Sequence, residues 1–196
     1  MKALRHFIVK TEKAHKDTIK LGNQEIFLDS RFDEFANRIC YGEVVSPPHV
    51  FDTGAKKGDT LFFHHHVTTN PQLTLGNSEY VCTYEENIQH RGQAIAYRKK
   101  NGDLRMLGGW MFVQPIEISG EDVVSESGII TSTGKKGHSS TRAKVFMPSP
   151  ALEREGVKVG DVVGFDKNAD YKMELDDGQV VFRMRSQDIS YVVKEG

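Results

Sequence analysis

The chain has 196 residues, 26 of them Lys or Arg against 27 Asp or Glu, and a net charge of −1 at pH 7. Phosphate binding needs clustered, unopposed cations, so this balance excludes a general attraction to nucleic acid or to an anionic membrane. A hydrophobic share of 38% is that of an ordinary globular protein, with length for one large or two small domains.

Residues 1–13 are too charged and too poor in apolar side chains for a signal peptide. No window approaches the length of a membrane span, and a reducing cytoplasm is the expected compartment. Strand-length apolar runs recur: Phe7-Ile8-Val9, Glu43-Val44-Val45, Thr60-Leu61-Phe62-Phe63, Tyr80-Val81-Cys82 and Ala94-Ile95-Ala96-Tyr97. They continue through Met111-Phe112-Val113, Lys144-Val145-Phe146, Asp161-Val162-Val163, Val180-Val181-Phe182 and Tyr191-Val192-Val193. Gly, Pro, Asn and Asp separate these runs, and β-branched or aromatic residues fill them, the pattern of strands between turns. A helical period is nowhere sustained; residues 33–38 are the best candidate for one brief turn. The fold class is all-β.

The chain also repeats itself. Lys56-Lys57-Gly58-Asp59-Thr60-Leu61-Phe62-Phe63 matches Lys158-Val159-Gly160-Asp161-Val162-Val163-Gly164-Phe165 at an offset of 102 (160 − 58). Gly42-Glu43-Val44-Val45-Ser46-Pro47 matches Ala143-Lys144-Val145-Phe146-Met147-Pro148 at 101 (143 − 42), and residues 4–9 match 107–113 with one insertion. Glu86-Asn87-Ile88 aligns with Gln187-Asp188-Ile189, again at 101 (187 − 86). Two tandem units are expected, residues 1–104 and 105–196. They meet at Lys99-Lys100-Asn101-Gly102-Asp103, where Asn-Gly predicts a type I′ hairpin pairing residues 93–99 with 104–107. No Gly/Ser or Pro-rich linker separates them.

Candidates for chemistry are few. Cys40 and Cys82 lie in alternating apolar stretches outside any metal-ligand spacing, and are expected as reduced, buried thiols. In His64-His65-His66, strand alternation would put His64 and His66 on one face and His65 on the other, so at most two converge and no metal site is expected. Ser139-Ser140 near His138 lacks the further partners of a catalytic triad, and no GxGxxG follows a strand. No enzymatic activity is expected. Trp110, at the start of a strand, is read as a core or interface anchor.

The second unit carries a recognisable pattern. Leu107-Gly-Gly-Trp-Met-Phe-Val-Gln-Pro, Glu126-Ser127-Gly128-Ile129-Ile130-Thr131, Ser140-Thr141-Arg142-Ala143-Lys144-Val145 and Val157-Lys158-Val159-Gly160-Asp161-Val162-Val163-Gly164-Phe165 occur in the order and at the distances of GroES-type co-chaperonins, which this half resembles. The first half resembles them more weakly, through Phe7-Ile8-Val9-Lys10, Tyr41-Gly42-Glu43-Val44-Val45 and Lys57-Gly58-Asp59. The resemblance implies two tandem GroES-like β-barrels in a homo-oligomeric, seven-fold ring. That ring would cap a GroEL-type chaperonin while an unfolded client protein folds inside the cage. No cofactor of its own is implied, because the ATP acts on the chaperonin partner.

Such a lid grips its partner through a mobile loop, and the residues support one independently. Ser132, Thr133, Gly134, Lys135, Lys136, Gly137, His138 and Ser139 lead to Ser140-Thr141 without an aliphatic side chain or a Phe, Tyr or Trp. Such a stretch cannot bury enough surface to offset its ordering entropy. The chaperonin-binding residues implied are Gly128, Ile129, Ile130 and Thr131. Thr131 departs from the family's usual aliphatic residue and should weaken the grip. In the first unit the corresponding stretch is Ile26, Phe27 and Leu28, followed by residues 29–37, whose two Phe suggest a fixed element.

Both units lack room for the hairpin that roofs a GroES ring, since only residues 49–56 and 149–157 occupy its place. The short roof and the tandem form resemble bacteriophage co-chaperonins, which would place the protein in a host cytoplasm. The rival reading is a viral structural or assembly protein that kept the barrel and lost the lid activity.

Overall fold

The computed structural model describes residues 2–28, 37–69, 74–76, 78–84, 92–118, 123–124, 130–132 and 137–194. Its first half contains β1 (Phe7–Lys10), β2 (Thr18–Leu21), β3 (Gln24–Phe27), β4 (Tyr41–Ser46), β5 (Thr60–Phe63), β6 (Thr74–Gly76), β7 (Glu79–Cys82), β8 (Ala94–Arg98) and β9 (Leu104–Met106). The second contains β10 (Trp110–Ile118), β11 (Val123–Val124), β12 (Ile130–Ser132), β13 (Gly137–Met147), helix α1 (Pro150–Arg154), β14 (Val162–Phe165), β15 (Tyr171–Glu174), β16 (Val180–Arg185) and β17 (Ile189–Val193). The all-β expectation holds.

Two antiparallel sheets carry the fold. The first has the order β6-β7-β1-β4-β5-β8-β9 and the second β15-β16-β10-β13-β14-β17. Among the described residues both sheets are open at their edges, so closed barrels are not what these strands form. Two further two-stranded sheets, β2-β3 and β11-β12, stand apart from them.

The repeat seen in the sequence reappears as topology. The order β7-β1-β4-β5-β8 in the first sheet is matched by β16-β10-β13-β14-β17 in the second. The registers match too. Tyr41, Gly42 and Glu43 face Phe62, Leu61 and Thr60, as Arg142, Ala143 and Lys144 face Gly164, Val163 and Val162. The irregularity between Ile8 and Val9 recurs between Phe112 and Val113, each opposite the corresponding residues of β4 and β13. Because side chains alternate across a strand, a shared register places the same positions inward. Phe7, Val9, Val44, Leu61, Phe63 and Cys82 form the first core, and Met111, Val113, Val145, Val163, Phe165 and Met184 take their places in the second.

One sequence match fails. Ile189 faces Phe165, and the first-unit residue facing Phe63 is Ala94, so Ile189 corresponds to Ala94 and not to Ile88. The connection from β7 to β8 is longer than that from β16 to β17, which breaks the constant offset; residues 85–91 lie outside the described ones. The brief turn expected at 33–38 also falls mostly outside them, and Arg38 forms a single antiparallel bridge with His15.

Compact unit 1 comprises Met1–Gly108 with Glu174–Gln179, and unit 2 comprises Gly109–Met173 with Val180–Gly196. The main join lies after Gly108, later than the expected 104/105. Residues 104–107 belong to the first sheet because β9 pairs with β8 and the Leu107 amide donates to the Ile95 carbonyl at 2.8 Å. The hairpin pairing is as expected, but its turn is not type I′. Of its residues only Gly102 has a positive φ, of 93°, while the Gly102 amide donates to the Lys99 carbonyl and the Lys99 amide to that of Asp103. This is a longer loop ending in a bulge glycine. Asn101 contributes through its side chain, accepting the Asp103 amide at 3.2 Å.

Where a roof hairpin would stand, the second unit has α1. Buried Ser149 accepts the Leu152 amide at 3.3 Å and Pro150 begins the helix, a standard start that needs no strand partner. Trp110 is buried at the start of β10, with the Arg185 guanidinium carbon 3.7 Å from its ring centroid and that of Arg183 at 5.3 Å. These cations on the indole face make it part of the second unit's packing.

Candidate functional site

Each unit breaks its main sheet at the same point, between its first strand and the next, to insert a small hairpin. In the first unit this is β2-β3, lying between β1 and β4; in the second it is β11-β12, between β10 and β13. These insertions contain Ile26 and Phe27 in the first unit and Ile130 and Thr131 in the second, all within the stretches singled out in the sequence.

The first hairpin pairs Thr18 with Phe27, Ile19 with Ile26, Lys20 with Glu25 and Leu21 with Gln24. That register leaves a two-residue turn, Gly22-Asn23. Gly22 takes φ 61° and Asn23 stays at negative φ, the II′ arrangement for which glycine at the first central position is suited. Thr18 Oγ1 donates to Glu25 Oε1 across the strands at 2.7 Å. The base is tied by Leu28 N to Asp17 O at 2.8 Å, Lys16 N to Asn37 O at 2.9 Å and Ile39 N to Ala14 O at 3.0 Å.

On this scaffold the apolar side chains of β3 face water. Phe27 is 84% exposed and Ile26 41%. Leu28, next in the predicted triplet, is half-buried beside the tied base. A single exposed apolar residue is unremarkable, but an aromatic left almost wholly in water on an ordered strand is a surface awaiting cover. Residues 29–36, whose Phe pair suggested a fixed element, lie outside the described residues.

In the second unit β10 and β13 extend toward the insertion, pairing Glu117 with His138 and Ile118 with Gly137. Beyond them Val123 pairs with Ser132 and Val124 with Ile130. Ile130, Thr131 and Ser132 therefore belong to strand β12. Gly128, Ile129, Thr133, Gly134, Lys135 and Lys136 lie outside the described residues. The expectation of an irregular segment as far as Thr141 is corrected at its C-terminal end. Gly137, His138, Ser139, Ser140 and Thr141 are in β13, where β10 continues past Pro115 and pairs Ile118 with Gly137 and Glu117 with His138, while residues 139–141 span the irregularity before Ala143 pairs with Pro115. Composition alone does not reveal that partner.

Two elements of the site were missed from the sequence, β2 and β11, the partners that turn each apolar stretch into a hairpin. Gly22-Asn23 between two runs containing β-branched residues was the available signal for the first. For Val123–Val124 a two-residue strand offers too little periodicity to read.

The other candidates resolve as follows. Cys82 is buried and Cys40 half-buried, both as free thiols, and burial pushes the Cys82 thiol well above its ordinary pKa. The histidine triplet does not run on as a strand: His65–Val67 form a 3-10 turn capped by His64, so the expected alternation does not apply. Among the described residues no helix is long and apolar enough to cross a membrane. Compared with protein-family models and with curated proteins, the chain matches none.

Proposed function

We propose that this protein is a co-chaperonin of the GroES type, two opened-out GroES-like units in one chain that cap a GroEL-type chaperonin ring. It holds an unfolded client in the cage and catalyses nothing itself; the ATP that drives the cycle is hydrolysed by the partner. The observation that carries this reading is the hairpin inserted at the same point of two sheets of matched strand order, bearing exposed Ile26 and Phe27 in the first unit. The sequence patterns of residues 105–196 support the family named here.

Binding by such hairpins has the energetics of a reversible lid. Burying Ile and Phe stabilises a complex by roughly 1.5–3 kcal/mol each, from which the ordering of chain and side chains subtracts. One hairpin is a weak grip. Several on one ring act together, so that capping becomes tight while each contact stays breakable. The exposure of Phe27 supports counting the first-unit hairpin, and not only residues 128–131, among the gripping elements.

The open edges of both sheets favour assembly into a ring. Unpaired strand edges attract other strands, and a neighbouring subunit's edge satisfies them in a controlled way. We take the ring as homo-oligomeric and seven-fold, matching the chaperonin, and the site of action as the cytoplasm.

The test is refolding of a stringent, aggregation-prone client by a bacterial chaperonin and ATP, with this protein as the sole co-chaperonin. Recovery of client activity well above the chaperonin-alone level is expected. Recovery no better than chaperonin alone, with a well-folded protein, would favour a structural or assembly role in a virus.

A further inference from the structure

Phe63 ends β5 with its side chain in the core, and the chain then bends. His64 is still extended, with φ −67° and ψ 140°, and its amide donates to the Gln93 carbonyl at 2.9 Å. The next residues turn at once. His66 N donates to His64 Nδ1 at 3.2 Å and Val67 N to His64 O at 2.9 Å, while fully buried Val67 pins the turn to the core. Thr68 Oγ1 and Thr69 Oγ1 donate to the carbonyls of His65 and His66, at 3.3 and 2.9 Å.

A strand would have thrown the three imidazoles to alternate faces; this bend gathers them. Ring centroids lie 4.1 Å apart for His64 and His65, 4.3 Å for His65 and His66, and 4.6 Å for His64 and His66. One nitrogen from each lies within 4.8 Å of the others. The second sheet leaves its matching strand through Asp166, Lys167 and Asn168, with no imidazole, so this fold does not need histidines to make that exit.

We propose that His64, His65 and His66 bind one first-row divalent cation, of the zinc, nickel or copper class. An all-imidazole donor set suits those ions and not magnesium or calcium, which prefer oxygen. At metal–nitrogen distances of about 2.0–2.1 Å, tetrahedral ligand nitrogens stand about 3.4 Å apart, so modest side-chain rotations close the present triangle onto an ion. His66 is exposed and gives the ion an entry from solvent, with water completing the coordination. His64 Nδ1 now accepts the His66 amide through its ring lone pair. Coordination at Nδ1 takes that lone pair, and coordination at Nε2 moves the ring proton to Nδ1. Either way the ion replaces the cap, and metal binding is coupled to the shape of this turn.

The proposal is independent of the lid function. Its test is isothermal titration of the untagged, metal-stripped full chain with zinc chloride, paired with electron paramagnetic resonance of the copper(II)-loaded protein. One saturable equivalent per chain is expected, with nitrogen hyperfine splitting in the copper spectrum. Affinity should fall at least about tenfold in His66→Gln and further in His64→Gln with His66→Gln. The exposed side chain of His66 lets the single variant keep its fold, so the comparison stands even if the double variant does not. Absence of saturable zinc uptake, or equal affinity in His66→Gln and the parent, would overturn the site.

Discussion

Tyr191 lies flat against Gly164, its partner across β14 and β17: a Cβ built on that glycine would fall 2.2 Å from two atoms of the tyrosine ring. The matching pair in the first sheet is Phe62 facing Ala96. The same cross-strand position is thus filled twice with the large and small residues exchanged. A pair conserves volume where neither residue alone can, so the two sheets keep one register with different side chains.

This relationship predicts a rescue. Gly164→Phe alone forces the Tyr191 ring aside and should cost about 1–3 kcal/mol by overpacking. Adding Tyr191→Ala, which recreates the first unit's arrangement, should recover most of that loss. Urea unfolding followed by fluorescence of Trp110, the chain's single tryptophan, reads the second unit directly. Additive losses in the double variant would contradict the matched register.

The turns before β5 and β14 predict equal sensitivity in both units. Asp59 accepts the Lys56 amide at 2.8 Å and Asp161 the Lys158 amide at 2.9 Å, and both aspartates are buried. In each turn the preceding glycine donates to the facing strand, Gly58 to Val44 O and Gly160 to Val145 O, both at 2.9 Å. Asp59→Ala and Asp161→Ala each orphan an amide and should each cost about 1–3 kcal/mol, with Asn milder because it keeps an acceptor oxygen. Gly58 and Gly160 hold φ of 86° and 95°, so alanine at either should cost about 1–2 kcal/mol in thermal or urea unfolding.

The two thiols should react in order. Cys40 is half-buried, whereas Cys82 is buried in β7 with its pKa raised by desolvation, so its thiolate is scarce in the folded state. Brief iodoacetamide treatment of the native protein, read by peptide mass spectrometry, should alkylate Cys40 well before Cys82. In the unfolded chain Cys82 ionises near the ordinary thiol value of about 8.5, so its contribution to stability is complete below that pH and declines as pH rises above it.

The duplicated sheet was legible because its signals are local and strong: alternating strands, and a Gly-Asp turn placed ahead of β5 and again ahead of β14. The alignment of Ile88 with Ile189 failed because an offset carries no information about a longer connection between paired strands. His64-His65-His66 was misread for a related reason. Period-two alternation holds only while the strand continues, and the bend after Phe63 depends on Val67 being drawn into the core. Likewise the polar composition of Gly137 to Thr141 argued for a loop, while the extension of β10 beyond Pro115 gave Gly137 and His138 strand partners in Ile118 and Glu117. At the candidate site, Ile26 and Phe27 were visible as apolar residues; their exposure was not, because it depends on which neighbours the hairpin lacks.

The most direct test of the lid function is co-migration of the full chain with a GroEL-type chaperonin ring in sedimentation velocity, with and without ADP or ATP. Four proteins should be compared: the parent, Ile129→Asp with Ile130→Asp, Ile26→Asp with Phe27→Asp, and all four substitutions together. The parent should co-migrate only with nucleotide, the pair at 129–130 should lose most of that association and the pair at 26–27 part of it, and the quadruple variant should stay free while keeping its own fold. Nucleotide-independent failure of the parent to associate, or undiminished association of the quadruple variant, would contradict the account.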